Sequence, residues 1–257
     1  MVALNLSLAP AVWTRPRPVE TGAVTRGKDV IRIASINVLT ANRREQDALE
    51  LIRREQPDVI LWIETDERWI RALAALDDRY ERLVAYARDD NFGYTVHVRR
   101  DRWRGQAEIF WPDPQDFPAV RARIEDNDGR AFRLYGIHPP PPDRPGWPPI
   151  NRRILLAIAE EARDSDLPVV VAGDFNAAPW SMTFRRFREK SGLIECSRTH
   201  GYLATWPTGL PAWLRIPLDH VFASAGFTML HRRAGEPIGS DHLPIIADLA
   251  WPPASSM

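Results

Sequence analysis

The eight residues Val169-Val-Val-Ala-Gly-Asp-Phe-Asn176 constrain this chain more than any other stretch. Four apolar, mostly β-branched residues predict a strand buried on both faces, as in a parallel sheet, and Gly173 breaks it. The strand delivers a carboxylate (Asp174) and a carboxamide (Asn176) at its C-terminal end, the edge at which open α/β sheets bind ligands. Residues two apart in extended chain point the same way, so the two groups are expected side by side. An acid that holds charge beside an amide that steadies an oxyanion suits metal-assisted phosphoryl chemistry. Gly-Asp-Phe-Asn alone is a weak signal, and its weight depends on what accompanies it.

At 257 residues the chain fits one large domain or two small ones, with a sizeable core. Its 34 basic and 34 acidic residues cancel, so no overall field recruits nucleic acid or an anionic membrane. Lysine occurs only at positions 28 and 190, a bias that reads as compositional before it reads as a phosphate cradle. The single cysteine, Cys196, excludes an intramolecular disulfide and a cysteine-rich zinc site, and is read as structural. No apolar window reaches the roughly 18 residues a membrane span needs. Residues 2–13 are apolar but short, broken by Asn5, Ser7 and Pro10, and lack a basic leader, which argues against a complete signal peptide. They read as the stub of an anchor or as a frayed terminus. The cytoplasm and an extracytoplasmic, membrane-associated place both stay open.

Residues 1–29 form an N-terminal extension and linker, and one domain is expected over 30–252. Strands are expected at 31–37 and 58–64, and the first ends on Asn37 and the second on Glu64. Helices follow them, at about 43–55 with Asn42 as cap and about 66–76 with Thr65 as cap. Five strands follow between Tyr80 and His138, with Asn127-Asp128-Gly129 as a hairpin turn. Pro139–Pro149 reads as a stiff loop, and a helix is expected over 151–163. Trp180, Phe184 and Phe187 form a stripe at helical spacing that reads as core packing. After a long Trp- and Pro-rich loop at 203–217, three short strands complete the chain. Helix–strand alternation at both ends, with strands between, predicts two packed sheets covered by helices.

The polar residues at or near the ends of apolar runs are Asn37, Glu64, His138, Asp174, Asn176, Asp219 with His220, and Asp241 with His242. Singly, each has a bland reading: Glu64 flanks a helix cap, and His138 is a half-buried histidine with a partner. Together they do not look like solvated surface.

In this order, Asn37, Glu64, Ile137-His138-Pro-Pro, Gly173-Asp-Phe-Asn176, Leu218-Asp219-His-Val-Phe222 and Gly239-Ser-Asp241-His242-Leu-Pro244 resemble the endonuclease/exonuclease/phosphatase family. The resemblance runs from about residue 31 to 250. It implies an α/β fold, a four-layer αββα sandwich of two mixed sheets flanked by helices (DNase I-like), and Mg²⁺-dependent hydrolysis of a phosphoester, with Mn²⁺ as a substitute. On its pattern Glu64 is the principal metal carboxylate, Asn37 a ligand or its partner, and Asp241 faces the metal. His242 is the expected base, oriented by Asp219. Asp174 orients or activates the nucleophile, Asn176 donates to a non-bridging oxygen, and His138 contacts the phosphate as donor or leaving-group acid. Two positions depart from the pattern: Ile63 stands where Gln is common, and His220 where Tyr or Arg is common. His220 is read as a packing variant.

The resemblance extends to bacterial members that sit behind N-terminal membrane helices, for which a lipid-linked phosphate of the envelope is a plausible substrate. The loops at 139–149 and 203–214 are unusually apolar, the first in Pro with Trp147 and the second in Trp, Pro and Leu, which suits a lipid or small phosphoester and peripheral membrane contact better than DNA. The alternative is that these tryptophans fold inward as satellite core. A nuclease of the same family is the second reading, and a non-catalytic binding module the third. A monomer is expected.

Overall fold

The computed structural model describes residues 27–195 and 202–251. The apolar run 2–13, most of the linker, Cys196 and His200 lie outside the described residues. Two six-stranded sheets pack face to face. The first has the order β11(Thr228–Ala234), β12(Ile245–Ala250), β1(Val30–Asn37), β2(Val59–Ile63), β4(Tyr94–Arg99), β3(Tyr80–Tyr86). The second has the order β5(Trp103–Phe110), β6(Ala119–Asp126), β7(Ala131–Ile137), β8(Val169–Asp174), β10(Asp219–Ala223), β9(Ile194–Glu195). Helices α1(Glu45–Glu55) and α2(Glu67–Leu73) cover the first sheet, and α3(Trp147–Arg163) and α4(Met182–Ser191) the second. The four-layer αββα sandwich expected from the sequence is the fold.

Each sheet has one parallel pair at its centre, β1 with β2 and β7 with β8, joined by the crossover helices α1 and α3. Alternation of side chains then sorts the core into three apolar layers. Ile31, Ile33, Leu61 and Val96 meet Val120, Leu134, Val170 and Val221 between the sheets. Ala34, Ile36, Ile60 and Trp62 on the outer face of the first sheet take Leu51 and Ile52 of α1 and Trp69 of α2. Tyr135, Val171 and Phe222 on the outer face of the second take Ile154, Leu155 and Ile158 of α3 and Phe184 and Phe187 of α4. Fully burying such a side chain contributes about 1.5–3 kcal/mol, so these layers hold the sandwich in one register.

Several local expectations change. Asn42 does not cap α1: the cap position is Arg44 without a side-chain bond, and Asn42 instead donates to the carbonyls of Val38 and Ile238. Asp66 rather than Thr65 caps α2, accepting from Trp69 N at 2.7 Å, while the Thr65 hydroxyl pairs with that of Thr95. The proline-rich loop ends at Gly146, because Pro148 and Pro149 fit the first turn of α3, where their missing N–H groups cost nothing. Trp180 lies before α4 and is 45% exposed, so only Phe184 and Phe187 of that stripe pack in the core. Among the described residues, no helix is long and apolar enough to cross a membrane.

Candidate active site

Topology explains why the polar strand ends meet. β1, β2, β7 and β8 all finish at one edge of the sandwich, delivering Asn37, Glu64, His138 and Asp174. β10 runs antiparallel to β8 and opens there, with Asp219 opposite Asp174. β12 runs antiparallel to β1, so the Asp241–His242 segment before it reaches the same edge. Asn37, Glu64, His138, Asp174, Asn176, Asp219 and His242 are all buried, and Asp241 is half-buried. Contacts cross between the sheets: Asn37 Nδ2 lies 3.4 Å from Asp174 Oδ2, and His138 Nε2 lies 3.8 Å from Glu64 Oε1, while within the second sheet His138 Nε2 lies 3.5 Å from Asp174 Oδ2.

Glu64 is held by a strained turn. Its φ is +67°, a conformation that side chains other than glycine rarely adopt, and such strain concentrates at functional sites. The Asn37 amide donates to Oε1 at 2.8 Å, Thr40 N to Oε2 at 3.4 Å, and the Thr40 hydroxyl to the Glu64 carbonyl at 2.9 Å. The Gly93 carbonyl accepts from the backbone N–H of Glu64 at 2.8 Å and of Thr65 at 3.3 Å. A Cβ on Gly93 would sit 1.9 Å from the Thr65 carbonyl oxygen, so only glycine fits this cradle. Gly93→Ala is expected to cost about 1–3 kcal/mol of stability through overpacking and to weaken cation binding by turning Glu64, both read by thermal melts with and without Mn²⁺.

The second half of the site is a hydrogen-bonded pair. His242 Nδ1 and Asp219 Oδ2 are 2.8 Å apart, and the other ring nitrogen, Nε2, lies 3.6 Å from Asp174 Oδ2. Burial pushes the His242 imidazolium down, but Asp219 and Asp174 outweigh it and hold the ring up at about 10. Burial raises Glu64 to about 7 and Asp174 to about 8, the latter helped by the charge of Asp219. His138 goes the other way, to about 4, lowered by burial and by the nearby charge of His242. Its Nδ1 meets the Asn91 carbonyl at 3.1 Å, so the neutral ring carries its proton there.

These buried carboxylates lack enough positive charge among themselves, and their oxygens suit a hard divalent cation. Asp241 adds an oxygen, Oδ1, that is buried without a hydrogen-bond partner among the described residues. Asp174, Asp219 and His242 each present a ligand atom within 4.8 Å of the others, a group that can also hold a metal. Because a cation displaces protons, its stabilisation should grow with pH. The raised carboxyls of Glu64 and Asp174 favour folding below about pH 4 and withdraw that support as pH rises through about 7 and 8. Saturating Mg²⁺ or Mn²⁺ should therefore raise the melting temperature by about 5–10 °C at pH 8.5 and much less at pH 6. Equal shifts at both pH values would remove the acid cluster as the cation site.

Asp174 and Asn176 do not project side by side from extended chain. β8 ends at Asp174, whose Oδ1 accepts from Asn176 N at 2.9 Å, and Asn176 turns to φ +47°. The Asn176 amide donates to the Pro139 carbonyl at 3.1 Å. The Asn37 oxygen accepts from Leu39 N at 3.1 Å, so its amide N–H faces the acids. Ile63 is buried in the inter-sheet core. His220 bonds Glu195 at 3.1 Å and packs on Phe184, away from the acids, as a packing residue does. Sequence reasoning passed over Asn151, whose amide donates to the carbonyls of Pro140 and Phe175 and so ties the 139–142 and 174–176 turns together. Its signal was present: a polar residue at the i−3, i−4 and i−7 spacing from Ile154, Leu155 and Ile158, on the apolar face of α3. Thr40, Gly93 and Trp206 carried no comparable mark.

Solved structures share this fold, among them the following three. An endonuclease/exonuclease/phosphatase from Bacteroides vulgatus is 19% identical with a TM-score of 0.73, covering 86% of this chain and 99% of that one. D. rerio TDP2 complexed with a single-strand DNA product is 17% identical with a TM-score of 0.72, covering 86% and 98%. A Bacteroides thetaiotaomicron mannosyl-6-phosphatase is 17% identical with a TM-score of 0.68, covering 86% and 100%. No curated protein matches the sequence. These likenesses carry the fold and do not place the chain in a membrane-associated branch. The sequence matches the model of the endonuclease/exonuclease/phosphatase family over residues 34–242, most of the chain, with every motif at the one edge where the geometry gathers them. The chain belongs to the endonuclease/exonuclease/phosphatase family, whose members hydrolyse phosphoesters.

Proposed function

We propose that this chain is a divalent-cation-dependent phosphoester hydrolase, with Mg²⁺ as the natural ion and Mn²⁺ as a substitute. The observation that carries the reading is the His242–Asp219 pair at 2.8 Å set against Asp174 and Glu64 in one buried cluster. Glu64 and Asp241 would hold the cation. The carboxylate of Glu64 meets only N–H donors in the hydrogen bonds that orient it, whereas Asp219 and His242 already partner each other in a short bond. Asn37 orients Glu64 rather than ligating. A bound cation would polarise the phosphoryl oxygens and offset the charge of the acids.

The chain's own residues supply the rest. Asp219 keeps the His242 proton on Nδ1, which leaves Nε2 to take a proton from the attacking water once the charge of the acids is offset. Asp174, beside Nε2, orients that water and shares the proton. Asn176 keeps one amide proton free of Pro139 to donate to a non-bridging oxygen. His138 presents Nε2 to the phosphate, and the incoming negative charge favours the proton it needs to act as a donor.

Solved relatives named for a sugar phosphatase and for a DNA complex share the fold, so the fold does not choose the substrate. The neutral charge and the exposed Leu210, Trp213 (67%) and Leu214 on the 203–217 loop favour an amphiphilic or small phosphoester over DNA. Trp147 and Trp206 are half-buried against Phe117 and His242, so the apolar loops are satellite core at their base and exposed at one tip. The test is hydrolysis of bis-p-nitrophenyl phosphate and p-nitrophenyl phosphate with Mg²⁺, Mn²⁺ or EDTA, followed by lipid-phosphate and plasmid-nicking panels. Turnover that survives EDTA would overturn the cation role. Plasmid nicking without lipid- or small-phosphoester turnover would make the chain a nuclease.

A further inference from the structure

The base of the 203–217 loop makes contacts that neither a substrate rim nor simple packing requires. Asp219 belongs to the second sheet, while Asp241 and His242 lead into β12 of the first. The hydrogen-bond ladders within each sheet leave the offset between these two segments unfixed, yet their bond needs it fixed to a fraction of an ångström. Thr205 is fully buried between them. Its hydroxyl oxygen accepts from the N–H groups of Leu218 and Asp219, each at 3.4 Å, and its carbonyl accepts from Leu243 N at 3.1 Å. Trp206 Nε1 donates to Asp241 Oδ2 at 3.0 Å. Thr208 adds its N–H to the Asp241 carbonyl and its hydroxyl to the Ser240 carbonyl, both at 2.8 Å. Thr205 N and Trp206 N both donate to the Ile216 carbonyl, which closes the loop's base.

We propose that Thr205 and Trp206 are positioning residues that clasp the Asp219 strand of one sheet to the Asp241–His242 loop of the other. In this arrangement the indole N–H occupies Asp241 Oδ2 and leaves Oδ1, buried and without a partner among the described residues, to face the cation site. The inference rests on the reading of Asp241 and His242 given above. Tryptophan is suited to the place because it offers a rigid ring, 6.3 Å from that of His242, with a single donor at its edge.

Trp206→Phe in the full chain keeps the ring and removes the donor. It is expected to lower kcat about tenfold and to raise the cation midpoint in a Mn²⁺ thermal-shift titration severalfold, with KM and the cation-free melting temperature little changed. Thr205→Val, which keeps the shape and removes the hydroxyl, should move the same quantities in the same direction. On an Asp241→Ala background Trp206→Phe should have no further effect, since the partner of its N–H is gone. Wild-type kcat and cation midpoint in Trp206→Phe, or a loss additive with Asp241→Ala, would overturn the clasp. A wild-type protein inert toward every phosphoester would remove the functional reading alone. The clasp is then decided by the His242 ring ¹⁵N resonances, which Trp206→Phe should shift if the clasp exists and leave in place if it does not.

Discussion

Alanine at position 242 should abolish most of the turnover while leaving the fold intact, lowering kcat by about 10³-fold, within the range that removal of a general base commands. His242 touches the site by two opposed nitrogens, one bonded to Asp219 and the other beside Asp174. Loss of the ring thus removes the proton acceptor and leaves two buried acids facing each other. Asp219→Asn tests the tautomer. Its amide can donate to Nδ1, which moves the ring proton to Nε2 and disarms the base with hardly any change in shape, so a comparable loss is expected. Glu64→Gln should instead fail at cation binding, and high Mn²⁺ should restore part of its activity. The measurement is kcat on the diester reporter, with thermal melts as the control for folding. Retention of turnover within about fivefold in His242→Ala would move the base to Asp174.

Much of this architecture was legible in the order of residues, for a physical reason. A strand buried on both faces leaves polar residues nowhere to go except its ends, so Asn37, Glu64 and Asp174 announce both the strand and the edge. That logic gathers side chains but does not orient them. It could not show that Asn37 turns its amide N–H inward, or that Asn176 leaves the extended chain, because both follow from turns in which a side-chain oxygen, of Asn37 or Asp174, accepts the backbone N–H two residues on. The helix caps were misplaced for a related reason: Asn42 and Thr65 are good capping residues that tertiary partners claimed first. Trp206 and Gly93 were illegible because their value lies in what the fold brings to them from far along the chain. Asp58 belongs to the same class, and it does not belong to the site at all.

Asp58 immediately precedes β2 at the opposite edge of the sandwich, fully buried. Its carboxylate accepts from Arg32 N at 2.8 Å and Trp103 Nε1 at 3.1 Å, and the guanidinium groups of Arg99 and Arg102 lie 3.2 and 3.5 Å away. One acid thus ties β1, β2, β4 and the start of β5 across both sheets. Asp58→Ala strands an indole N–H and a backbone N–H in the core and leaves two arginines without their buried counter-charge. Breaking such a buried network is expected to cost about 3–5 kcal/mol, or roughly 10 °C in melting temperature for a chain of this size. Asp78, in an exposed pair with Arg79 at 3.9 Å, is the control, and Asp78→Ala should change stability by less than about 0.5 kcal/mol. Since Asp58 lies far from the strand ends that carry Glu64 and His242, Asp58→Ala should keep normal kcat per folded molecule below its melting point. Chemical denaturation gives the first quantity and reporter turnover the second. A stability loss under about 1 kcal/mol would mean that water replaces the carboxylate, and a fall in kcat that both edges of the sandwich are coupled.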